Sequence, residues 1–536
     1  MTSLAQSQTR YQELAGPARQ RLTREQASQT RVTVQVGQCS QAVGAAAVAD
    51  RLAAALAGRD DVRLVTAGCD GACFAAPQVM VARPDGQTRY YSQVTETDVA
   101  PITASLDDPG HLPPTADLEA FFTPQHLQVL AWCGQLAPAE VADYIAIGGY
   151  SSLADALSRP PQSVIDQVLE SGLQGRGGAY FPPARKWQGA RSFPAPRYLV
   201  VNAEEGEPGI FKDRHLLEGV PHRVVEGALI AAYAAGVERC YVYVNAEARR
   251  SAQRVEAAIE QARQWGLIGE NILGSGFDCE LEVRRGAGGY VCGEETTLLN
   301  TIEGRRREPR LRPPFPVESG LFRRPTVINN VETLANLPYI LQRGPGRYGQ
   351  VGLESAPGTK LICLSGAVRR PGLAEVPMGT TLRQVIYDIG GGPPPEGEIG
   401  VVAVGGPSSG LLPPSELDLP LQPGLLHPSG VVMGAGGVMV MDASVAPLEV
   451  ALRLAAYNAA ESCGKCTPCR EGTPRMVEAL ERLASGQDAA AAVAELRYLA
   501  EVVGAASLCG LGQMAGGPVN SLLHFFPEAV GGPAGE

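Results

Sequence analysis

Lysine is nearly missing from this 536-residue chain: of 45 basic residues, only Lys186, Lys212, Lys360 and Lys465 are lysines. A compact ammonium is not interchangeable with a guanidinium fork, so the surviving lysines mark positions to scrutinise. No basic run offers a phosphate track, and the net charge is −11, which argues against nucleic acid as a partner. Long apolar runs are missing too. The longest uncharged stretch, LLHPSGVVMGAGGVMVM, is broken by Gly and Pro and is too short to span a bilayer, so direct membrane insertion is not expected. The start, MTSLAQSQTRYQELAG, has no apolar core of the kind a secretory signal needs. Free thiols fit a reducing cytoplasm, with any membrane attachment through a partner. What remains is a globular composition, 45% hydrophobic and 19% charged, long enough for about three to five domains.

Cysteine is concentrated where it is present. Cys463, Cys466 and Cys469 sit at two-residue gaps in ESCGKCTPCREG, and Cys509 follows forty positions on in SLCGLG. Four converging thiolates mean tetrahedral zinc or an iron–sulfur cluster. Three close cysteines plus a remote fourth are commoner for [4Fe–4S] than for structural zinc, which usually takes two separate C-x-x-C knuckles. Gly, Pro and charge surround these cysteines, which disfavours scattered core thiols.

The chain divides by pattern. Residues 1–30 are polar, frayed or helical, and are expected to form a flexible N-terminus. RVTVQVG and VRLVTAG read as strands flanking an Ala-rich helix, followed by a hairpin around Asp85-Gly86, so that 31–105 form a small α/β domain. Residues 106–170 read as a helical, Pro-interrupted linker. Over 171–350, RYLVVNA, CYVYVNA and LEVRRGA alternate with helical segments, which predicts a largely parallel sheet. Short strands and Gly/Pro turns over 358–443 suggest a β-grasp-like domain, and 444–536 are helical. No internal repeat is found.

Three further segments carry chemistry. GLQGRGGAYFPPARKW puts Gly175, Gly177 and Gly178 in one loop, where backbone N–H groups can approach an anion with Lys186 nearby; a tight turn is the bland alternative. It is not the G-x-G-x-x-G fingerprint, and the formal match at GPGRYG contains Pro345 and follows no clear strand. VVNAEEGEPGIFKDRHLLEG places Asn202, Glu204, Glu205 and Glu207 at a strand's C-terminal end, where α/β sheets bind ligands. Three close carboxylates suit hydrogen bonds to a flavin ring, a ribose or a carboxamide, against a solvated acidic turn. RRGAGGYVCGEETTLLNTIEGRRREPRLRPPFP carries Gly293, Glu294 and Glu295 into a helix start, where capping competes with ligand binding. Arg312, Phe315, Asn329 and Asn330 follow, the amides offering paired donors and acceptors.

Together and in this order, roughly over residues 140–530, these segments resemble the flavin- and NADH-binding subunit of respiratory complex I. They are equally similar to its relatives in NAD-reducing hydrogenases and NAD-dependent formate dehydrogenases. The resemblance implies an α/β multidomain protein: a thioredoxin-like N-terminal domain, a Rossmann-like FMN domain, a β-grasp (SLBB-like) domain and a C-terminal helical bundle with an iron–sulfur cluster. It implies FMN held by Gly175, Arg176, Gly177, Gly178, Lys186, Asn202, Glu204, Glu205, Gly293, Glu294, Glu295, Asn329 and Asn330. NADH would meet Phe181, Glu207, Arg312 and Phe315, with Glu207 positioning the nicotinamide end and no residue catalytic in the acid–base sense. Cys463, Cys466, Cys469 and Cys509 would bind [4Fe–4S]. The implied activity is hydride exchange between NAD(H) and FMN, then single-electron transfer through the cluster. The implied partners are a thioredoxin-like [2Fe–2S] subunit and a larger iron–sulfur subunit leading to a hydrogenase, formate dehydrogenase or quinone-reducing module.

The departures from the family pattern are few. Tyr180 stands where glycine is usual, beside the implied nucleotide pocket, and is expected to affect nucleotide affinity or the choice between NADH and NADPH. Glu204 replaces a shorter carboxylate, and Arg312 replaces lysine. In the N-terminal domain Cys69 and Cys73 look like the second half of a [2Fe–2S] site, while the first half retains Cys39 and has Gly44 at the partner position. That leaves a decayed site or a cluster with an unusual fourth ligand. Cys133, Cys240, Cys279, Cys292 and Cys363 read as buried or incidental thiols. The rival functions are a non-catalytic assembly subunit with a decayed flavin site and a zinc-stabilised nucleotide-binding protein.

Overall fold

The computed structural model describes residues 3–107 and 118–531, with side chains from residue 6 onward. The stretch 108–117 of the expected linker lies outside the described residues, as do the two extreme ends. Where composition suggested a flexible N-terminus, Ser3–Ser28 form one long helix, α1. Tyr11, Ala15 and Ala18 bury one stripe of it against the short helices Val141–Ala146 and Ser151–Leu157. Its polar face is anchored by charge. Asp143, 1% exposed, receives Arg21 of α1, Arg31 of β1 (Thr30–Gln35) and Arg63 of β2 (Val62–Ala67), and Arg63 also pairs with Glu25. An aspartate shared by three guanidiniums makes a polar helix stable, a feature that hydrophobic pattern alone does not reveal.

The first sheet has the order β2-β1-β3-β4, built from β1, β2 (Val62–Ala67), β3 (Val79–Ala82) and β4 (Thr88–Tyr91). β1 and β2 are parallel, joined through helix α2 (Ala45–Ala55), and β3 and β4 are antiparallel additions. The hairpin turns at Asp85-Gly86, as the sequence predicts. The next sheet is wholly parallel, in the order β7-β6-β5-β8: β5 (Tyr198–Ala203), β6 (Arg239–Val244), β7 (Glu280–Arg285) and β8 (Thr326–Asn330). Before β5 lies α3 (Pro183–Arg191); α4 (Lys212–Gly219), α5 (Pro221–Ala235) and α6 (Arg249–Gln264) follow, and α7 (Glu295–Ile302) lies between β7 and β8. Successive strand residues serve opposite faces. Leu199, Val201, Val242 and Val244 join the core with α5, while Val200, Tyr241, Tyr243 and Ile328 pack under Leu298 and Leu299 of α7. With both faces covered, the sheet leaves its strand ends as the place for a site.

The third sheet, in the order β10-β9-β13-β11-β12, contains β9 (Thr359–Gly366), β10 (Gly372–Pro377), β11 (Ile399–Val404), β12 (Gly410–Leu412) and β13 (Gly437–Asp442). β9 and β13 are parallel and the other pairs antiparallel. One of its faces, Val401, Ala403 and Leu411, is covered by the C-terminal helices α8 (Pro447–Ala460), α9 (Thr467–Ala484), α10 (Ala489–Ala506), α11 (Gly510–Met514) and α12 (Gly517–Phe525). Among the described residues no helix is long and apolar enough to cross a membrane.

Replacing Asp143 with alanine removes the common partner of three arginines. Because those arginines can reach water, the cost should fall below the buried-pair range, at about 2–3 kcal/mol. Denaturant unfolding should show that loss, with faster proteolysis near residue 28; an unchanged midpoint would contradict the anchoring role.

Candidate functional site

The parallel sheet delivers Asn202 and Asn330 side by side, because the ends of β5 and β8 are in register at these two residues. Asn202 donates from Nδ2 to the Gly293 carbonyl (2.8 Å), and its Oδ1 accepts from the Glu204 amide (3.1 Å). Asn330 caps the helix after β8 by accepting from the Glu332 amide, and donates to Asp213 (2.7 Å). Asn329 is buried and accepts from the Trp187 indole (2.9 Å). The glycine loop lies above this edge. Gly178 has φ +111°, a conformation that L side chains rarely adopt, and a Cβ at Gly177 would press on Asn330 at 3.1 Å.

The three carboxylates of the acidic loop divide into two kinds. Glu205 accepts the Asp213 and Arg214 amides at 2.6 and 3.1 Å and the Arg214 Nε at 3.2 Å, so it caps α4. Glu204 is different. Asn245 donates to its Oε1 (2.5 Å), but its buried Oε2 has no partner, and a Cβ at Gly286 would stand 2.7 Å from that atom. Burial pushes its carboxyl up to about 7. Glu207 lies against Gly406, and burial pushes it up to about 8, with the Lys212 ammonium pulling the other way. At neutral pH the pair therefore offers carboxyl O–H donors as well as acceptors.

Arg176, expected among the ligand contacts, is a brace. Its side chain is fully buried and donates to the carbonyls of Gln174, Pro357 and Thr359 and to the Tyr348 hydroxyl. Its charge is spent on holding the loop to the third sheet. Tyr180 is also turned inward, donating to the Gly434 carbonyl (2.7 Å). Glu294 is the N-cap of α7, accepting from the Thr296 and Thr297 amides, with its other oxygen buried, without a hydrogen bond and 3.7 Å from Arg312 Nη2. Glu295 is shared by Lys186 (3.0 Å) and Arg312 (2.9 Å). Burial alone would raise its carboxyl, but these two cations outweigh burial and hold it below the usual range. Phe181 and Phe315 are about half exposed, at 51% and 49%, and offer free ring faces.

Three of the four C-terminal cysteines pack together. Cys469, Cys509 and Leu511 form a small buried cluster against Cys466 and Tyr290. Cys466 and Cys509 precede the first residues of α9 and α11, so rigid helix starts aim both thiols. Among the described residues, no three of these four sulfurs fall within 4.8 Å of one another. Tetrahedral zinc, with Zn–S near about 2.3 Å, needs sulfurs roughly 3.8 Å apart. That spacing is wider than a single zinc ion needs, and soft thiolates are the normal donors of a larger iron–sulfur core. Burial pushes the Cys509 thiol up to about 11, so metal ligation must displace its proton. Lys465 locks this segment to the loop after α7 through Glu308 (3.2 Å) and the Pro309 carbonyl (2.7 Å).

Tyr290 joins the two halves of the site. Its ring packs beside Cys466, Cys469 and Cys509 and lies 6.0 Å from that of Tyr457, whose hydroxyl donates to the Gly206 carbonyl in the acidic loop. Tyr290, Tyr457 and Asn245 were not singled out in the sequence. Asn245 follows β6 as Asn202 lies in β5, in the repeated V-N-A ending of both strands, and that echo was the available signal.

Comparison with known proteins agrees with this arrangement. Residues 168–339 match the Nuo51 FMN-binding domain, 361–412 the SLBB domain, and 449–531 the NADH-ubiquinone oxidoreductase-F iron-sulfur binding region. The NADH-quinone oxidoreductase F 2 subunit of Rhizobium meliloti is 43% identical, over 73% of this chain and 93% of the relative. The chain belongs to the family of F-type subunits of NADH-quinone oxidoreductases and their hydrogenase relatives. NADP-reducing hydrogenase subunit HndC of Solidesulfovibrio fructosivorans is 45% identical, over 74% of this chain and 80% of the relative. The crystal structure of an NAD+-reducing [NiFe]-hydrogenase in the H2-reduced state aligns at a TM-score of 0.66 with 31% identity, over 94% of this chain and 83% of that one. The chain thus carries an FMN-binding domain and a 4Fe–4S binding region. The orphaned Glu204 oxygen, the glycine loop and the gathered thiols fit those two groups.

Glu204 titrates in the folded protein near 7, against about 4.5 for an ordinary glutamate. A raised carboxyl favours the folded state at pH below 4.5, and that contribution is lost as pH rises through 7. Glu204→Gln keeps the acceptor for Asn245 and removes the titration. In flavin-stripped protein it should raise Tm relative to wild type at pH 8 and leave the two equal near pH 4.5. An equal difference at both pH values would contradict the assignment.

Proposed function

We propose that the chain is the electron-entry subunit of a larger complex, exchanging hydride between NAD(H) and FMN and passing electrons singly through its [4Fe–4S] centre. The observation that carries this reading is the contiguity of the two half-sites through Tyr290. Bound FMN supplies hydride exchange with a nicotinamide and stepwise release of electrons. The chain's own residues bind, align and exclude water, which is the larger need of hydride transfer. Lys186, held by Glu295, supplies positive charge at the glycine loop. Asn202, Asn329, Asn330 and Glu204 line the flavin side of the crevice, with the Glu204 orphan oxygen available to a ligand donor. Glu205, Glu294 and Arg176 act one step back, as caps and brace. Phe181 and Phe315 supply flat faces for a base, and Glu207, kept largely neutral, orients a carboxamide. Cys463, Cys466, Cys469 and Cys509 hold the cluster.

In this reading the N-terminal unit is thioredoxin-like, the parallel sheet Rossmann-like, the third sheet β-grasp, and the C-terminal helices a cluster-bearing bundle. A thioredoxin-like [2Fe–2S] subunit and a larger iron–sulfur subunit receive the electrons, in a cytoplasmic assembly that reaches a membrane only through partners. A scaffold with a decayed flavin site is disfavoured by the intact Lys186–Glu295–Arg312 set.

Anaerobic NADH should bleach the flavin band of the purified chain, at about 450 nm. A flavin-loaded sample that does not bleach would establish the scaffold reading instead.

A further inference from the structure

The N-terminal cysteines do not present the four thiolates of a [2Fe–2S] site. Such a core is ligated in two pairs, one on each iron. Gly44 occupies the position of one missing thiolate, and Cys39 stands at the exposed rim, outside the group that converges. The ligand atoms that do converge are Cys69 Sγ, Cys73 Sγ and a ring nitrogen of His215, all within 4.8 Å of one another. Three donors focused on one point suit a single ion, unlike the wider spacing of Cys463, Cys466, Cys469 and Cys509.

His215 comes from α4 of the FMN-binding region, more than 140 residues along the chain from Cys73. Its Nδ1 lies 2.7 Å from the Phe211 carbonyl; a carbonyl only accepts, so Nδ1 carries the proton. In the neutral ring Nε2 then carries the lone pair, 3.8 Å from Cys73 Sγ, and a metal ion takes it in place of a proton. A backbone carbonyl on the far nitrogen is the usual way a metal-binding imidazole is oriented. The surroundings hold the two units in this register. Glu218 of α4 accepts the Gln38 amide (2.8 Å), and a Cβ at Gly68 would fall 2.5 Å from Gly219 Cα, so only glycine permits so close an approach. Cys69 is buried, which shields the group from water.

We propose that Cys69, Cys73 and His215 bind one zinc ion, with a fourth position open on the Cys39 side, and that this ion staples the N-terminal α/β unit to helix α4. Two thiolates and an imidazole are a standard zinc donor set, and the ion gains its ligands as two thiol protons leave. The staple transfers no electrons, so the electron path bypasses the N-terminal unit. This inference is independent of the flavin reading, because iron, flavin and zinc are counted separately.

The test is metal analysis of the full chain, purified under reducing conditions, with X-ray absorption at the zinc edge. The expected result is about one zinc per chain beside the cluster iron, in a shell of sulfur near about 2.3 Å and nitrogen near about 2.0 Å. Zinc should fall severalfold in both His215→Gln and Cys73→Ser, with cluster iron and flavin unchanged. Two additional irons in place of zinc, a purely sulfur shell, zinc retained in both variants, or no zinc after anaerobic equilibration with zinc chloride would each overturn the proposal. The absorption spectrum of the unaltered protein keeps the test decisive should either variant fail to fold.

Discussion

A buried ion network under the site fixes everything above it. Lys212 is 1% exposed and contacts Asp213 (2.7 Å) and Glu332 (3.1 Å); Glu332 also receives Lys360 of β9 at 2.5 Å. Burial opposes the charge on Lys212, but Asp213, Glu332 and Glu205 together outweigh it and hold the ammonium protonated. Removing one partner from such a set leaves a buried charge alone, at a cost of about 3–5 kcal/mol. The network joins α4, the end of β8 and β9, and so ties the parallel sheet to the third sheet. Asn330 is part of it, accepting from Lys212 at 3.2 Å, so the crevice edge inherits the network's rigidity. A flavin site built on this edge is pre-organised because its floor cannot shift without breaking ion pairs in a dry interior.

The same chain displays two thiol arrangements with different spacing. At the C-terminus two helix starts present Cys466 and Cys509 beside Cys469, and among the described residues no three of the four sulfurs there crowd within 4.8 Å. At the N-terminus two sulfurs and an imidazole crowd to single-ion distance. Spacing separates the two chemistries: a cubane needs room between its thiolates and a zinc ion does not.

Much of the fold was legible because its signals are local. The strands RYLVVNA, CYVYVNA and LEVRRGA became β5, β6 and β7 of the parallel sheet, and the cysteine run falls within the matched iron-sulfur binding region. Roles were harder to read than positions. Glu205 and Glu294 bear the carboxylates expected of ligands, but backbone amides claim them first as helix caps. Arg176 sits among the loop glycines expected to face a ligand and points away, into the third sheet. The scarcity of lysine singled out Lys186 and Lys465 at the site, together with Lys212 and Lys360 below it, which bear load and do not face the crevice. His215 had no sequence signal as a partner of Cys69, because only tertiary packing brings α4 to the N-terminal unit. Residues 1–30 were left open between frayed and helical for a related reason: the stability of α1 comes from Asp143, a residue of the following linker.

The central claim is that electrons entering at the crevice leave through the four-cysteine cage. Freeze-quench electron paramagnetic resonance of the protein mixed anaerobically with NADH tests it most directly. The account predicts a reduced iron–sulfur signal in flavin-loaded protein and none in flavin-stripped protein, although dithionite elicits the signal in both. A cluster reduced by dithionite but left oxidised by NADH in flavin-loaded protein, or reduced equally by NADH without flavin, would contradict it.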